Sequence, residues 1–211
     1  ILSSNKYIDV SALQLDKNDF YAICQIVLIE NPEIFHARGI EILEDESTKK
    51  VTSIRYKSPY KLDEIRRMKA KLEDSYKLAV RKIKSELKEN YTRLDVVRAI
   101  YDYVGQTEYI GECKENIHKE QNHLECPSFC KQNSIYGVFV ERTASCEGNS
   151  YAIEKLCKEF NIPVLVDAGV DKVANGDNHV WNLIQMDDEK WYICDVSADS
   201  KTYNEDENTF F

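Results

Sequence analysis

Apolar and polar residues follow two different periods along this chain. From Leu62 to Tyr91, apolar residues recur every three or four positions and leave Lys, Arg and Glu on the opposite side, which predicts one long helix. Thr92 can cap the start of a further helix, and Gly105 can end it. The single apolar stripe of the long helix predicts packing within the chain rather than a surface for oligomerisation.

Shorter patterns precede the long helix. Residues 19–30 form an apolar run that predicts a short, mostly buried helix, which Asn18 can cap. Residues 37–44 and 50–57 have the composition of strands, and the polar stretch between them predicts a hairpin. Residues 1–91 are therefore predicted to be an N-terminal extension made of a helix, a hairpin and the long helix.

The C-terminal part combines one helix with a run of strands. Helical spacing extends from Cys146 to Phe160. Short apolar or alternating segments predict three strands, at residues 163–169, 178–186 and 190–196. The turn 187–189 joins the last two strands as a hairpin. Helices followed by neighbouring strands indicate an α+β fold, with a core domain over residues 92–211.

Charge narrows the class of function. The 211 residues carry a formal net charge of −9, and residues 141–211 hold the whole acidic excess. No basic stretch carries interleaved aromatic residues, so we expect no nucleic-acid binding. An acidic site would favour cationic or neutral substrates, although a solvated acidic surface is the preferred explanation of the charge. No apolar run is long enough to cross a bilayer.

Both ends of the sequence indicate truncation. The chain begins at Ile1, without an initiator methionine or a signal sequence, and stops on the apolar pair Phe210-Phe211. We therefore expect a core domain that is truncated at the C-terminus, and a signal or anchor that lies outside this sequence.

The seven cysteines do not have the pattern of a disulfide scaffold, and an odd count leaves at least one thiol unpaired. Cys24, Cys157 and Cys194 fall on apolar faces or in strands, which predicts that they pack as small core residues. The polar stretch of residues 106–134 is long for a loop in a compact domain. It therefore predicts a lid or a wall of the site.

A cluster of cysteine and histidine residues lies within this polar stretch. Four such side chains can close a tetrahedral zinc site, although the spacing matches no common zinc module. Disulfides or free thiols are the preferred alternatives, and disulfides are favoured if the protein is exported. We therefore expect neither a metal nor another cofactor. The cluster consists of Cys113, His118, His123, Cys126 and Cys130.

Three residues have the types and the order of a nucleophile, its base and an orienting carboxylate. Cys146 begins the predicted helix, where unpaired amides and the helix dipole stabilise a thiolate. Gly148 is small enough to let substrate or backbone approach closely. His179 begins one hairpin strand, and Asp195 lies near the end of the next. A register symmetric about residue 187 would set them opposite each other on one face.

The same residues carry a family resemblance. Ser145-Cys146-Glu147-Gly148-Asn149-Ser150-Tyr151-Ala152 is similar to the cysteine helix of the bacterial transglutaminase-like superfamily. His179-Val180-Trp181-Asn182 resembles the family's His-Ala-Trp-Asn. Trp191-Tyr192-Ile193-Cys194-Asp195-Val196 resembles its Trp-Tyr-x-x-Asp-Val. The resemblance covers residues 135–200.

The resemblance implies a papain-like core, in which the helix that bears Cys146 packs on an antiparallel sheet that bears His179 and Asp195. It implies acyl transfer on peptide or amide bonds through a Cys146 thioester, by a peptidase, an amidase or a transamidase. Two departures from the pattern are Asn149, where an aromatic residue is common, and Ala198, where tryptophan often follows the aspartate. They keep open the alternative of a catalytically inactive module that binds peptide or protein.

Further site residues and the biological setting are also predicted. Tyr136 and Gln132 lie upstream of the cysteine and are candidates to complete an oxyanion hole. Trp181 can pack on the imidazole and exclude water, or can be ordinary core packing. We expect a peptide or protein substrate, cell-wall peptide included. By similarity to surface proteins we expect an extracellular or cell-envelope location, with a cytoplasmic location as the alternative.

Overall fold

The computed structural model describes residues 6–37, 39–58, 60–110, 129–171 and 177–198. Its contacts divide the chain into two units, of which one holds residues 1–69 and 115–130 and the other holds residues 70–114 and 131–211. The predicted division between residues 91 and 92 into an extension and a catalytic core stays a prediction. The helices and strands, in chain order, are β1 (Ile8–Asp9), α1 (Lys17–Glu30), β2 (Gly39–Glu44), β3 (Val51–Lys57), α2 (Leu62–Glu86), α3 (Arg93–Gly105), β4 (Glu108–Tyr109), α4 (Phe129–Gln132), β5 (Thr143–Ala144), α5 (Cys146–Glu159), β6 (Val164–Asp171), β7 (Asp177–Gln185) and β8 (Trp191–Cys194).

The first unit contains a small antiparallel sheet with strand order β1-β3-β2. The predicted hairpin is thus present as β2 and β3. Phe20 and Cys24 of α1 pack against Val51 and Ile54 of β3, and these four residues form the buried centre of the unit. The prediction that Cys24 is a core residue is confirmed.

Two predictions for α1 are wrong. The helix begins at Lys17, and its cap is Asp16 rather than Asn18, because the Asp16 carboxylate accepts the backbone N–H of Asp19 at 3.0 Å. The helix is also not mostly buried, because its apolar residues occupy two faces and only one of them packs on the sheet. The exposed apolar residues of α1 are Tyr21, Ile23, Ile26 and Val27.

The long helix α2 carries the predicted apolar stripe and ends at Glu86 rather than near Tyr91. Most of the stripe is buried within the chain, in agreement with a packing role. Its buried members are Ile65, Met68, Leu72, Val80 and Ile83. Within the described residues, no helix is both long and apolar enough to cross a membrane.

The second unit is a mixed helix and sheet arrangement that confirms the α+β prediction. Its antiparallel sheet has the strand order β6-β7-β8, and α5 packs against β6, β7 and α3. Thr92 and Asp95 form a reciprocal capping box at the start of α3, and that helix ends at Gly105, as predicted. Buried residues of α5 that form its core face include Ala152, Ile153, Leu156 and Cys157.

The hairpin of β7 and β8 has a register different from the predicted one. Asn182 pairs with Cys194, so the strands are symmetric about residue 188 rather than 187, and Asp195 follows the last residue of β8. The predicted turn 187–189 is present, because the backbone N–H of Met186 donates to the carbonyl of Lys190 across it, and Glu189 closes it in a left-handed conformation with φ of 64°. The pairing has moved by two residues, which is one full period of a strand. His179 and Asp195 therefore still share a face.

Candidate active site

Cys146 is the first residue of α5, which runs for 14 residues. Ser145 caps this helix, and its side chain accepts the backbone N–H of Gly148 at 3.5 Å. Cys146 forms no disulfide and is partly exposed, whereas Cys24, Cys157 and Cys194, which also form none, are buried. A thiolate here would lie at the positive end of the helix dipole, among amides that lack helical partners.

Gly148 allows a neighbouring backbone segment to reach the start of α5. A Cβ atom at this position would lie 2.1 Å from the carbonyl oxygen of Gln132, a distance that no packed structure permits. The same carbonyl accepts the backbone N–H of Ser145 at 3.0 Å. Of the two predicted reasons for a small residue, the structure shows the close approach of backbone.

His179 and Asp195 are in direct contact. The Nε2 atom of His179 donates to Oδ2 of Asp195 over 2.6 Å, a short distance typical of a charge-assisted hydrogen bond. The other carboxylate oxygen, Oδ1, accepts the backbone N–H groups of Ser197 at 3.1 Å and Ala198 at 3.0 Å. Because both oxygens are engaged, the carboxylate is fixed in one orientation. Nδ1 is then the ring nitrogen left for chemistry.

Trp181 covers the imidazole. Its ring stacks on that of His179, with centroids 6.0 Å apart and planes 29° from parallel. The indole lies over β6 at Gly169, where a Cβ atom would be 2.8 Å from the ring. Gly169 pairs directly with His179 across the strands. The glycine therefore makes room for an indole that shields one face of the imidazole.

Tyr109 lies near the same groups, and the sequence patterns did not single it out. It belongs to β4, which pairs in parallel with β5, so that Tyr109 lies opposite Ala144, shortly before Cys146. Burial, together with the negative charges of Cys146 and Asp195, raises the pKa of Tyr109 to about 12. A phenol is protonated at neutral pH with or without this shift, so the shift indicates only that Tyr109 lies near these two charges. The only sequence signal was an aromatic residue at the start of the polar stretch predicted to wall the site.

A family model described as the transglutaminase-like superfamily matches residues 77–196, which is more than half of the chain. The chain belongs to the transglutaminase-like superfamily. The matched residues include Cys146, His179 and Asp195, and the predicted resemblance is confirmed. No curated protein matches the sequence.

Solved structures resemble the chain at low identity. One described as a TGase is 13% identical, with a TM-score of 0.47, over 94% of this chain and 50% of the other. A candidate cysteine protease from Cytophaga hutchinsonii is 16% identical, with a TM-score of 0.41, over 76% and 62%. The periplasmic domain of TgpA from Pseudomonas aeruginosa, bound to ethylmercury, is 14% identical, with a TM-score of 0.39, over 70% and 55%. This chain thus spans about half to three fifths of the length of these proteins.

The two departures from the superfamily pattern have structural roles. Asn149 is buried, with 2% of its surface exposed, and its side-chain amide is hydrogen-bonded to residues outside its own helix. Ala198 acts through its backbone N–H, which binds Asp195 and needs no particular side chain. Neither departure interrupts the contact between His179 and Asp195.

The candidates for the superfamily's oxyanion hole, Gln132 and Tyr136, are both buried. Gln132 supplies its backbone carbonyl to the start of α5, and its side-chain nitrogen is buried without a hydrogen-bond partner among the described residues. The ring of Tyr136 lies 5.9 Å from the ammonium group of Lys131. A role for either residue in stabilising an oxyanion stays a prediction.

The predicted cysteine and histidine cluster falls outside the described residues, except for the backbone of Cys130 in α4. Zinc or disulfide chemistry there stays a prediction. Elsewhere, within the described part of the chain, no group of three or more His, Cys, Asp or Glu side chains could hold a metal ion.

Proposed function

We propose that this chain transfers acyl groups from peptide or amide bonds through a thioester on Cys146. The observation that carries the proposal is the 2.6 Å contact between His179 and the Asp195 carboxylate. The second oxygen of that carboxylate accepts two backbone N–H groups. Such a fixed pair selects one imidazole tautomer and leaves the other nitrogen to receive a proton. A partly exposed thiol at a helix N-terminus supplies the nucleophile.

The proposed reaction has two halves. The Cys146 thiol gives its proton to Nδ1 of His179, and the thiolate attacks the carbonyl carbon to form a tetrahedral intermediate. His179 then returns that proton to the leaving amine as the C–N bond breaks, which leaves an acyl thioester. In the second half His179 takes a proton from water or from an amine, and that acceptor attacks the thioester. The carbon–sulfur bond breaks to release the acid or the new amide, and His179 gives its proton to the sulfur, which restores the thiol.

The tetrahedral intermediate needs hydrogen-bond donors for its oxyanion. The backbone N–H of Cys146 lies at the start of α5, where it has no helical acceptor. We propose the Tyr109 hydroxyl as the second donor, because Tyr109 pairs with Ala144, two residues before Cys146, and a phenol can donate at neutral pH. Gln132 and Tyr136 stay candidates for the same oxyanion donor, and variants of the three residues decide between them.

Tyr109→Phe is expected to slow acylation of Cys146 by an activated ester roughly 10²- to 10³-fold, the usual effect of losing one oxyanion donor. Alkylation of Cys146 by iodoacetamide forms no oxyanion and should keep its wild-type rate. Stopped-flow acylation with p-nitrophenyl acetate and alkylation read by mass spectrometry separate the two effects. Tyr103→Phe, a change at a half-buried tyrosine on α3, is the matched control. An equal loss in both reactions would mean that Tyr109 supports the fold rather than the oxyanion.

The proposed substrates are peptides or proteins, cell-wall peptides included, and the proposed location is the cell envelope or beyond it. Both follow from resemblance and stay proposals. Water and a primary amine are the competing acceptors of the acyl group. Incubation of an acceptor amine with the acylated protein would separate hydrolysis from transamidation, because only a transamidase gives an amide product in preference to the acid.

The pH dependence of cysteine alkylation tests the proposed nucleophile directly. A free thiol titrates near about 8.5, and an imidazole partner lowers that value by several units. We expect Cys146 to react fast below neutral pH in the wild type and to react as an ordinary thiol in His179→Ala. Cys24 and Cys157 are internal controls, because burial raises the pKa of both thiols.

The alternative, an inactive module that binds peptide or protein, predicts a different profile. Cys146 would then react as an ordinary thiol, or not at all, in both proteins. That result would reject the proposed acyl transfer, and peptide binding without cleavage would become the function to test.

A further inference from the structure

Asn149 lies on α5, shortly after Cys146, and is buried with 2% of its surface exposed. Its amide makes two contacts that leave its own helix. Nδ2 donates to the hydroxyl oxygen of Ser197 over 3.1 Å, and Oδ1 lies 3.2 Å from the hydroxyl of Thr107. One side chain therefore joins the cysteine helix to two distant parts of the chain.

The Ser197 contact leads to the orienting carboxylate. Ser197 is also buried, with 1% exposed, and its backbone N–H donates to Oδ1 of Asp195. Oδ2 of the same carboxylate holds His179. A displacement of Ser197 would thus be passed to the carboxylate through a hydrogen bond of 3.1 Å.

The Thr107 contact leads towards Tyr109. Thr107 is buried, and its hydroxyl donates to the carbonyl of Val104 at the end of α3, over 2.7 Å. β4 begins at the next residue and places Tyr109 opposite Ala144. Asn149 therefore contacts the segment that leads into Tyr109 as well as the helical residues 196–198 that hold Asp195.

We propose that Asn149 is a positioning residue, which sets the Asp195 carboxylate relative to Cys146 by tying residues 195–198, of which 196–198 are helical, to the cysteine helix. This inference rests on the proposed acyl transfer and adds a role at a position where the superfamily often has an aromatic residue. Asn182 provides a comparable tie between β7 and α5, because its Nδ2 donates to the carbonyl of Ser150 over 3.1 Å. Two buried amides thus join α5 to the elements that carry Asp195 and His179.

The contact that this position requires is the one from the Asn149 amide to Ser197, because the shorter distance assigns the Thr107 proton to Val104. An aromatic hydrocarbon cannot donate to the Ser197 hydroxyl, so it would lose the hydrogen bond that links α5 to residues 195–198. The Asn149 side chain is short and buried, and the Ser197 and Thr107 side chains on either side of it are buried too. It can therefore hold the two segments at one separation, as a support for reacting groups requires.

Asn149→Ala is expected to slow Cys146 alkylation below neutral pH roughly 100-fold, because small displacements of reacting groups have effects of that size. The pH profile should also move towards that of a free thiol. Ser197→Ala removes the hydroxyl but keeps the backbone N–H to Asp195, and it should change the profile in the same direction. If both act through one bond, the double variant should be no slower than Asn149→Ala alone.

Ile153→Val is the matched control, because Ile153 is buried on the same helix and its truncation weakens packing without touching these hydrogen bonds. It should lower the unfolding temperature and leave the pH profile unchanged. A profile of Asn149→Ala that overlays the wild type, or a shift that Ile153→Val reproduces, would overturn the positioning role.

A second readout separates this inference from the proposed function. Hydrogen exchange at the backbone amides of Ser197 and Ala198 reports their bonds to Asp195, whether or not the protein is an enzyme. Faster exchange at these amides in Asn149→Ala, and not in Ile153→Val, supports the tie. Unchanged exchange rejects it. A wild-type Cys146 with an ordinary alkylation profile would instead reject the acyl transfer, while the exchange measurement still decides the role of Asn149.

Discussion

Replacing Cys146 by alanine is expected to abolish the burst of p-nitrophenolate that the wild-type protein releases from p-nitrophenyl acetate. In the wild type the Cys146 thiolate attacks the ester carbonyl, nitrophenolate leaves, and the acetyl group stays on sulfur until water removes it. Without the thiol no acyl-enzyme can form. Loss of a nucleophile in comparable centres lowers turnover about 10⁶-fold, so no burst should remain.

The fold should survive this change. Cys146 is partly exposed and begins a helix, so alanine removes little buried surface and favours the helix. The free energy of unfolding should stay within about 0.5 kcal/mol of the wild type. Circular dichroism and thermal unfolding verify this before the kinetics are compared.

Cys24→Ala is the matched control for the burst. Cys24 is a buried free cysteine in the first unit, so its loss should leave the burst amplitude unchanged. Mass spectrometry should find one acetyl group, on Cys146, in the wild type and in this control. A full burst from Cys146→Ala would show that another group is the nucleophile and would reject the proposed thioester.

The positions of the three candidate residues in the fold could be predicted from sequence because those positions depend on local features. Cys146 is placed by the start of its helix. His179 and Asp195 lie on the two sides of one hairpin, and whether they share a face depends only on whether the strand register is shifted by an even or an odd number of residues. The predicted register was wrong by two residues, an even number, so His179 and Asp195 were still placed on one face. The turn 187–189 was located correctly, but the left-handed conformation of Glu189 could not be predicted, because no glycine signals it there.

The supporting residues could not be found in this way because their contacts are not local. The bonds of Asn149 join positions separated by 42 and 48 residues, and no period in the sequence relates them. In the sequence Asn149 was only a departure from a family pattern. Tyr109 enters the site through a two-residue parallel pairing, which is too short to leave a strand signal.

The error at α1 has a similar origin. An apolar helix with residues on two faces predicts burial on both, but the sheet of the first unit covers only the face with Phe20 and Cys24. How many faces are covered depends on the number of packed layers. Composition does not report that number.

Asp195→Asn is expected to impair the reaction more than Asp195→Ala, although asparagine is the closer replacement. The two backbone N–H groups of Ser197 and Ala198 require an acceptor at the Oδ1 position. The oxygen of an asparagine would therefore stay there and turn its NH₂ group towards His179. An NH₂ group cannot accept the proton on Nε2, so the ring must carry its proton on Nδ1 instead.

That tautomer cannot receive the thiol proton of Cys146. The same aspartate-to-asparagine substitution in the triad of a serine protease lowers kcat about 10⁴-fold because it selects the wrong tautomer, and we expect a loss of that order here. Alanine leaves Nε2 without its partner but imposes no tautomer, so its loss should be smaller. The acylation rate with p-nitrophenyl acetate should thus fall in the order wild type, Asp195→Ala, Asp195→Asn.

Asp167→Asn is the control for replacing an aspartate by an asparagine. Asp167 is exposed on β6, and its carboxylate accepts the backbone N–H of Ala168 at 2.9 Å rather than a hydrogen bond from His179 or Cys146. It should react at the wild-type rate. The order of the two Asp195 variants decides how the carboxylate acts. If asparagine supports faster acylation than alanine, its oxygen must face the imidazole. The backbone N–H groups of Ser197 and Ala198 would then not fix the side chain at position 195. Any hydrogen-bond acceptor there, including the oxygen of a neutral amide, would be enough to orient His179.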